Sequence, residues 1–360
     1  MRFNVLSEDG DGLGVAMKLA AEGHNVDFCT DTDAGSGEFV TKPLANMLDA
    51  SADVTLSFMA NNGGLLDDIR KTSRRILGHS RWSMAIAQDA EYASQIIALA
   101  GWNSGKVANG TNLYITTWFN GTRFIFTYAS IVYRRFMSSG RGPDVRYTGF
   151  VSNFFQPTNR VAQEVLKPLE KILRHVNHRG CFHIHLVINE NAFSVKEIDA
   201  SFNTPLALLL FENGKAPAAD LILRVFDETS KPIQPVEQWA AGLLITTPPY
   251  PYPIPAESVP LRGLETPALR HVWFSDVKRK EGEWYTAGAT GKVGYITARG
   301  ADSQHEFNGK VRHTPGYVEA MKRIYRTISR LEVRDLQYRD DVGKNIDNLI
   351  RNLYTQEWIK

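Results

Sequence analysis

Apolar positions along the chain change period several times, and each change predicts an element. "FNVL" near the start is a short apolar strand, followed by the Gly-rich turn "SEDGDGLG". "VAMKLAAEGHNV" places Val15, Leu19 and Ala20 at helical spacing and stops at Gly23, a residue suited to a helix C-terminus. "VDFCTD" and "DVTLSFM" (53–59) read as two further strands. Strand–helix–strand alternation of this kind predicts a small parallel α/β layer.

From Leu113 the pattern becomes antiparallel. "NLYITTWFNGTRFIFTYAS" is two strands around Asn120-Gly121, the signature of a two-residue hairpin turn. "RVAQEVLKPLEKILRHV" aligns Val161, Val165, Leu169, Ile172 and Val176 on one helical face. "CFHIHLVINENAFSVKEID" predicts a second hairpin, turning near Asn189–Asn191. The Pro-rich "TTPPYPYPIPAESVP" (246–260) opens a mostly β segment up to about residue 312. Two helices follow, one with Val318, Met321, Ile324, Tyr325 and Ile328 on a face, the other with Ile346, Leu349, Ile350 and Leu353. The class is mixed, α/β then α+β. We expect an N-terminal Rossmann-like domain over 1–101, a central antiparallel sheet with helices over 102–235, and a β-rich C-terminal subdomain with closing helices over 236–360.

Composition narrows the function. Hydrophobic residues make up 43% and charged residues 22% of the 360 positions, as in an ordinary globular protein. The 41 Lys and Arg nearly balance the 39 Asp and Glu, which gives no electrostatic case for nucleic acid. No apolar run approaches the roughly 18 residues of a membrane span. Two cysteines and no apolar leader at the N-terminus predict a cytoplasmic protein without disulfides. The "NGT" triplets at Asn109 and Asn120 then read as turns.

Candidate chemistry gathers in "SVKEIDASFNTP" (194–205). Under strict alternation Phe193, Val195, Glu197 and Asp199 share one face of a strand, and Lys196 lies on the other. That face begins apolar and ends in two carboxylates. Such a pair is either solvated at the strand end or gathered around a divalent cation, Mg²⁺ or Mn²⁺. His183 and His185 share a face of the partner strand; opposite the carboxylates they would suit a transition metal, and otherwise they are polar residues on a wet face. Gly10, Gly12 and Gly14 invite a dinucleotide reading, but their spacing is not G-x-G-x-x-G, and a tight strand-to-helix turn is the alternative.

The order of these parts resembles the phosphoribosylamine–glycine ligase (glycinamide ribonucleotide synthetase) family of the ATP-grasp superfamily. "SEDGDGLGVAMKLAAEGHNVDF" is similar to the family's opening strand, turn and helix, and "RRFMSSGRGPDVRYTG" to the stretch around its G-P-N-T-G-G-M-G loop, with Gly142, Pro143 and Gly149 in place. "VKEIDASFNTP" matches E-F-N-A-R-F-G-D-P, whose Glu and Asn hold magnesium; those positions are Glu197 and Asp199. "TAGATGKVGYITARG" and "LQYRDDVGKN" resemble the closing β-subdomain and its R-x-D-I-G end, which places Arg339. The resemblance implies an ATP-grasp-like fold and an ATP- and Mg²⁺-dependent ligase joining a small-molecule carboxylate to an amine through an acyl phosphate. Glu197 and Asp199 would be metal ligands; Arg339, Gly142, Pro143 and Gly149 would contact substrate.

Departures from the family are as informative. Its ATP-covering lid is reduced to "WNSGKVANGTN", where Lys106 is the sole lysine. The Arg, Gly and Asp of N-A-R-F-G-D-P are Ser201, Asn203 and Thr204, loop glycines have become Arg146 and Tyr147, and the family's "GYP" is Pro249-Tyr250-Pro251. Three readings follow: a ligase, with a second subunit as one source of the missing lid; an ATP-grasp-derived binding or assembly protein without turnover; and a nicotinamide-linked oxidoreductase, for which the glycine spacing fails.

Overall fold

The computed structural model describes residues 1–359 apart from 32–34, 45–50, 73, 108–109, 156–159, 203, 253, 256, 264–269 and 308–309. Asn109 and Asn203 therefore lie outside the described residues.

The N-terminal layer is a parallel sheet of β1 (Arg2–Leu6), β2 (Asn25–Cys29), β3 (Val54–Ser57) and β4 (Arg75–Leu77), in the order β2-β1-β3-β4. Helix α1 (Leu13–Ala21) ends where expected: Gly23 takes φ +85° and its N–H bonds the Ala20 carbonyl. Helices α2 (Gly63–Arg70), α3 (Arg81–Gln88) and α4 (Ala90–Leu99) follow. Ser80 and Ser83 cap α3 reciprocally, and Asp89 accepts two N–H groups at the start of α4.

The Gly-rich turn serves packing. A Cβ on Gly14 would meet the Trp273 Cα at 2.6 Å, one on Gly10 the Ser275 carbonyl at 2.3 Å, and one on Gly12 the Phe58 ring at 2.7 Å. The space beside this turn is filled by the chain's own Trp273–Ser275 backbone. This favours the tight-turn reading over the dinucleotide one.

The centre of the molecule is an eight-stranded sheet. β5 (Thr111–Phe119), β6 (Phe124–Met137) and β7 (Arg141–Phe154) form a meander; β8 (Gly180–Ile188) and β9 (Phe193–Asp199) form the second hairpin; and β10 (Trp239–Thr246) joins the far side. The sequence continues through β11 (Pro260–Leu261), β12 (Val272–Phe274), β13 (Val277–Lys280), β14 (Glu283–Thr286) and β15 (Lys292–Gly300). Strand order is β12-β15-β10-β7-β6-β5-β8-β9, so one sheet spans residues 111–300 and crosses position 235. β11, β14 and β13 make a small separate sheet, and β16 (Ser303–Phe307) with β17 (Lys310–Thr314) a hairpin. One face of the large sheet packs on a π-helical turn, Val161–Leu166, and α5 (Lys167–His175); the other packs on α6 (Leu209–Asn213) and α7 (Ala218–Phe226). α8 (Gly316–Ile328) lies on β15 and β10, and α9 (Asp347–Thr355) closes the described chain.

Two local expectations shift. The first hairpin turns on Gly121-Thr122, because the Asn120 side chain accepts the N–H groups of Thr122 and Arg123 and moves the turn by one residue. Residues 142–149, read as a loop, form part of β7 paired irregularly with β6.

The larger correction concerns β9. Its pairing with β8 shifts between His185 and Leu186: Leu186 faces Val195, whereas His185 faces Glu197. Lys196 is thus an extra residue, a β-bulge, and the alternation reverses beyond it. Val195 and Ile198 are buried in the core on the side of α3 and α4, while Glu197 and Asp199 project from the opposite face. The carboxylates do not belong to the apolar face at all. One inserted residue turns them out of it.

Candidate active site

The bulge sets the first part of the site. Glu197 lies opposite His185, and Asp199 opposite His183, so all four side chains share a face. Glu197 has Arg134 at 3.6 Å and Arg146 at 3.6 Å. Arg134, on β6, is held by Asp144 (2.9 Å) and the Tyr114 hydroxyl (3.1 Å), and Tyr114 stacks on His185 at 4.2 Å. Partial burial opposes ionisation of Asp144, but the Arg146 N–H and the Arg134 guanidinium outweigh it and hold its pKa low. Arg146 keeps a left-handed backbone, φ +68°, where glycine would be unstrained; its N–H bonds Asp144 at 2.9 Å. A side chain held in that conformation adds a cation beside Glu197.

Asp199 accepts the N–H (2.9 Å) and hydroxyl (2.7 Å) of Ser201. The His183 ring is buried with both nitrogens occupied: Nδ1 meets Thr116 at 2.9 Å, and Nε2 meets Thr204 at 3.0 Å and the Ser201 carbonyl at 3.2 Å. Burial lowers its pKa, and burial with Arg134 and Lys196 nearby lowers that of His185 to about 4. The register does bring both histidines opposite the carboxylates. Yet His183 has no free lone pair, and among the described residues no group of three or more His, Cys, Asp or Glu is arranged to hold a metal ion. The transition-metal reading gains no support.

Asp199 and Ser201 also line a cleft of about 320 Å³. Asn61 and His79 come from the N-terminal layer, Arg146 and Tyr147 from β7, and Tyr250, Lys292 and Tyr295 from the C-terminal part. A narrower recess adjoins it through Thr204, Pro205, Lys292 and Tyr295 and reaches Asp11. Lys292 ion-pairs with Asp11, whose carboxylate also accepts the Ser275 hydroxyl at 3.0 Å. Burial works against the Lys292 charge, but Asp11 and Asp9 outweigh it and raise its pKa, so Lys292 is a fixed cation at neutral pH. Sequence reasoning missed Lys292, His79 and Arg134. Lys292 pairs with Asp11 and Arg134 reaches Glu197, both far away along the chain, and only "TAGATGKVGY" hinted at the first.

The other expected site residues are placed elsewhere. Arg339 is 4% exposed and bidentate on Asp341 (2.7 and 2.7 Å), donates to the Arg135 carbonyl at 2.8 Å and stacks on Tyr133. It clamps the end of β6 and does not line the cleft. A Cβ on Gly149 would strike Val342 at 2.5 Å, so that glycine serves packing against the segment after Arg339. Gly142 and Pro143 lie near the tip of the β6–β7 hairpin, outside the cleft lining. Lys106 is exposed in the short link between α4 and β5. That link follows the edge of β9: the Asn103 carbonyl accepts the Val195 N–H (2.8 Å) and the Gly105 carbonyl accepts Lys196 Nζ (2.8 Å). No helix among the described residues is long and apolar enough to cross a membrane.

Solved structures match this architecture. A phosphoribosylamine–glycine ligase from Thermotoga maritima superposes with a TM-score of 0.73 over 95% of this chain and 100% of its own, at 14% identity. The fold is that of ATP-grasp proteins. A biotin carboxylase from Campylobacter jejuni, solved as a β,γ-ATP complex, shares the ATP-grasp fold at TM-score 0.60 and 10% identity, over 94% of this chain and 92% of its own. A pyruvate carboxylase from Rhizobium etli matches at 0.61 and 12%, over 98% of this chain and 36% of its own. No family model matches the sequence, and no curated protein does.

Within this fold the donor set suits Mg²⁺ held jointly. Two carboxylates on one strand face fall short of a protein-only site, but Mg²⁺ is commonly bound by one or two carboxylates together with phosphate oxygens and water. Arg134 and Arg146 are the cations beside Glu197.

Proposed function

We propose that this chain is an ATP-dependent carboxylate–amine ligase of the ATP-grasp type, akin to phosphoribosylamine–glycine ligase, with the cover for its nucleotide supplied from outside the chain. The observation that carries the reading is the placement of Glu197 and Asp199 on one strand face, with Asp199 lining a cleft walled by all three parts of the sequence and Arg146 and Lys292 as that cleft's cations. In such a reaction the acid's carboxylate oxygen takes the terminal phosphoryl group of ATP, releasing ADP. The amine then forms the C–N bond as the C–O bond to phosphate breaks, and the amine's proton leaves to solvent or a nearby base. Glu197 and Asp199 would hold Mg²⁺, which neutralises charge on the phosphoryl oxygens. Arg146 and Lys292 orient an anionic acid in the cleft, and Arg146 and Tyr147, standing where the family has glycines, reshape the space for acid and amine. A cytoplasmic setting accords with the two buried free thiols, Cys29 and Cys181.

A second reading, a binding protein without turnover, is favoured by the direct passage from α4 to β5, in which Lys106 is the sole lysine. Nucleotide titration with and without Mg²⁺ tests the proposal. Mg²⁺ should tighten ATP binding to the wild type, and Glu197→Gln should remove that gain. Equal affinity in both proteins would sink the ligase reading.

A further inference from the structure

Away from the cleft, a groove of about 900 Å³ lies between α4 and α5. Tyr92, Gln95, Ile96 and Leu99 line one wall at the i, i+3, i+4, i+7 spacing of a single helix face. Pro168, Lys171, Ile172 and His175 line the other at the same spacing. Two helices therefore present facing stripes, and Leu99 is left 72% exposed between them. Such stripes receive a third amphipathic helix through anchors at i, i+3/i+4 and i+7.

Charge selects the occupant. The lysines lining this groove are Lys167 and Lys171, and His175 joins them; all are exposed and none makes an ion pair within the described chain. Through Trp82 and Val176 the groove continues into a cavity of about 590 Å³ lined by Arg70, Lys71, Arg74, Arg75 and Arg179 against one carboxylate, Asp67. Some of these are already paired (Arg70 with Asp67, Lys71 with Asp68, Arg179 with Glu228), whereas Arg75 makes no ion pair among the described residues. The Trp82 indole N–H, shared by both cavities, is buried without an acceptor among the described residues. On a chain with a formal net charge of +2, this concentration of basic groups is local. A nucleic acid would answer the cations but leave Leu99 and Tyr92 uncovered.

We propose that this face binds an acidic amphipathic helix of a partner protein. Its apolar stripe fills the space between α4 and α5, and its carboxylates meet Lys167, Lys171 and Arg75. The inference does not depend on what the cleft catalyses.

The test uses the full chain and a fluorescent helical peptide of about 14 residues, long enough to span the groove, with Leu at i, i+3/i+4 and i+7 and Glu elsewhere. Anisotropy should report a dissociation constant in the tens of micromolar at low salt, weakening as salt screens the pairs. Lys167→Glu with Lys171→Glu, and separately Leu99→Asp, should each weaken binding by roughly tenfold or more. All three positions are exposed, so far-UV dichroism should stay unchanged. A peptide with its Glu replaced by Lys should not bind, which tests charge without altering the protein. The proposal is overturned if the peptide does not bind, or if a scrambled peptide of equal composition binds as well. It is equally overturned if the variants bind like wild type, if a single-stranded oligonucleotide binds this face in place of the peptide, or if light scattering shows the groove closed by a second copy.

Discussion

Gly14 sits in the first turn of α1, where replacing glycine by alanine ordinarily stabilises a helix by about 1 kcal/mol. Here the added methyl would lie 2.6 Å from the Trp273 Cα and 2.9 Å from the Phe274 nitrogen, both backbone atoms that cannot rotate away. Overpacking of that kind costs about 1–3 kcal/mol, occasionally more, so Gly14→Ala should be net destabilising by urea unfolding; a neutral or stabilised variant would refute the packing account of the turn. His178 makes a second residue-scale case. It is buried against Phe182 and Trp82, donates to the Cys181 carbonyl, and burial lowers its pKa from 6.5 to about 4. The folded state keeps it neutral while the unfolded chain takes up a proton below pH 6.5. Its stabilising contribution is therefore complete above pH 6.5 and is lost as pH falls toward 4, by about 3 kcal/mol at most. His178→Gln should reduce the pH dependence of unfolding free energy between pH 7 and 4, leaving the share of His183 and His185, whose pKa values burial also lowers; an unchanged slope would show that His178 does not contribute to it. At this scale the sequence disclosed Glu197 and Asp199 because they are two positions apart. Arg134 and Lys292 stayed hidden because the residues they serve are 63 and more positions away.

Elements were legible wherever their signal is local. The helical period of 161–176, the turn residue Asn189 and the left-handed Gly23 each act within a few positions, and those features are present. What failed was period-2 reasoning carried through a strand that contains a bulge. Nothing in "FSVKEID" announces that Lys196 is supernumerary; only the partner strand, with His185 and Leu186 consecutive opposite Glu197 and Val195, reveals it. The consequence can be tested by deletion. Removing Lys196 would restore regular alternation and carry either the carboxylates into the core beside α3 and α4 or Val195 out of it. Unpaired buried carboxylates are costly enough that the deletion variant should lose cooperative folding. Lys196→Ala, which keeps the extra residue and loses one exposed hydrogen bond to the Gly105 carbonyl, should change stability by less than about 1 kcal/mol. Thermal melts of the two variants decide it: if the deletion melts like wild type, the bulge does not set the faces.

For the whole molecule, the decisive question is what covers the nucleotide. The ATP-grasp resemblance implies two layers, one carrying metal ligands and one carrying lysines that clamp the phosphates. The first would correspond to β8 and β9, where Glu197 and Asp199 share a face. In place of the second, α4 ends at Leu99 and β5 begins at Thr111, and the link hydrogen-bonds along the edge of β9. Lys106 in that link is exposed and outside the cleft lining. Each charge-assisted phosphate contact forgone is worth about 1.5–3 kcal/mol, so losing two weakens binding by roughly a hundredfold or more. An uncovered acyl phosphate would also stand open to hydrolysis, which such sites exclude. We therefore expect the isolated chain to bind ATP in the high micromolar range or weaker, and any ligation to need a cover donated by a second subunit or a partner. Calorimetry and ADP release, run on the monomer and on whatever oligomer purifies, separate the cases. Turnover confined to the assembled form would identify the donor of the lid. Tight binding by a monomer, unaffected by Lys106→Ala, would mean that the cleft closes over ATP by itself and that the second layer is dispensable.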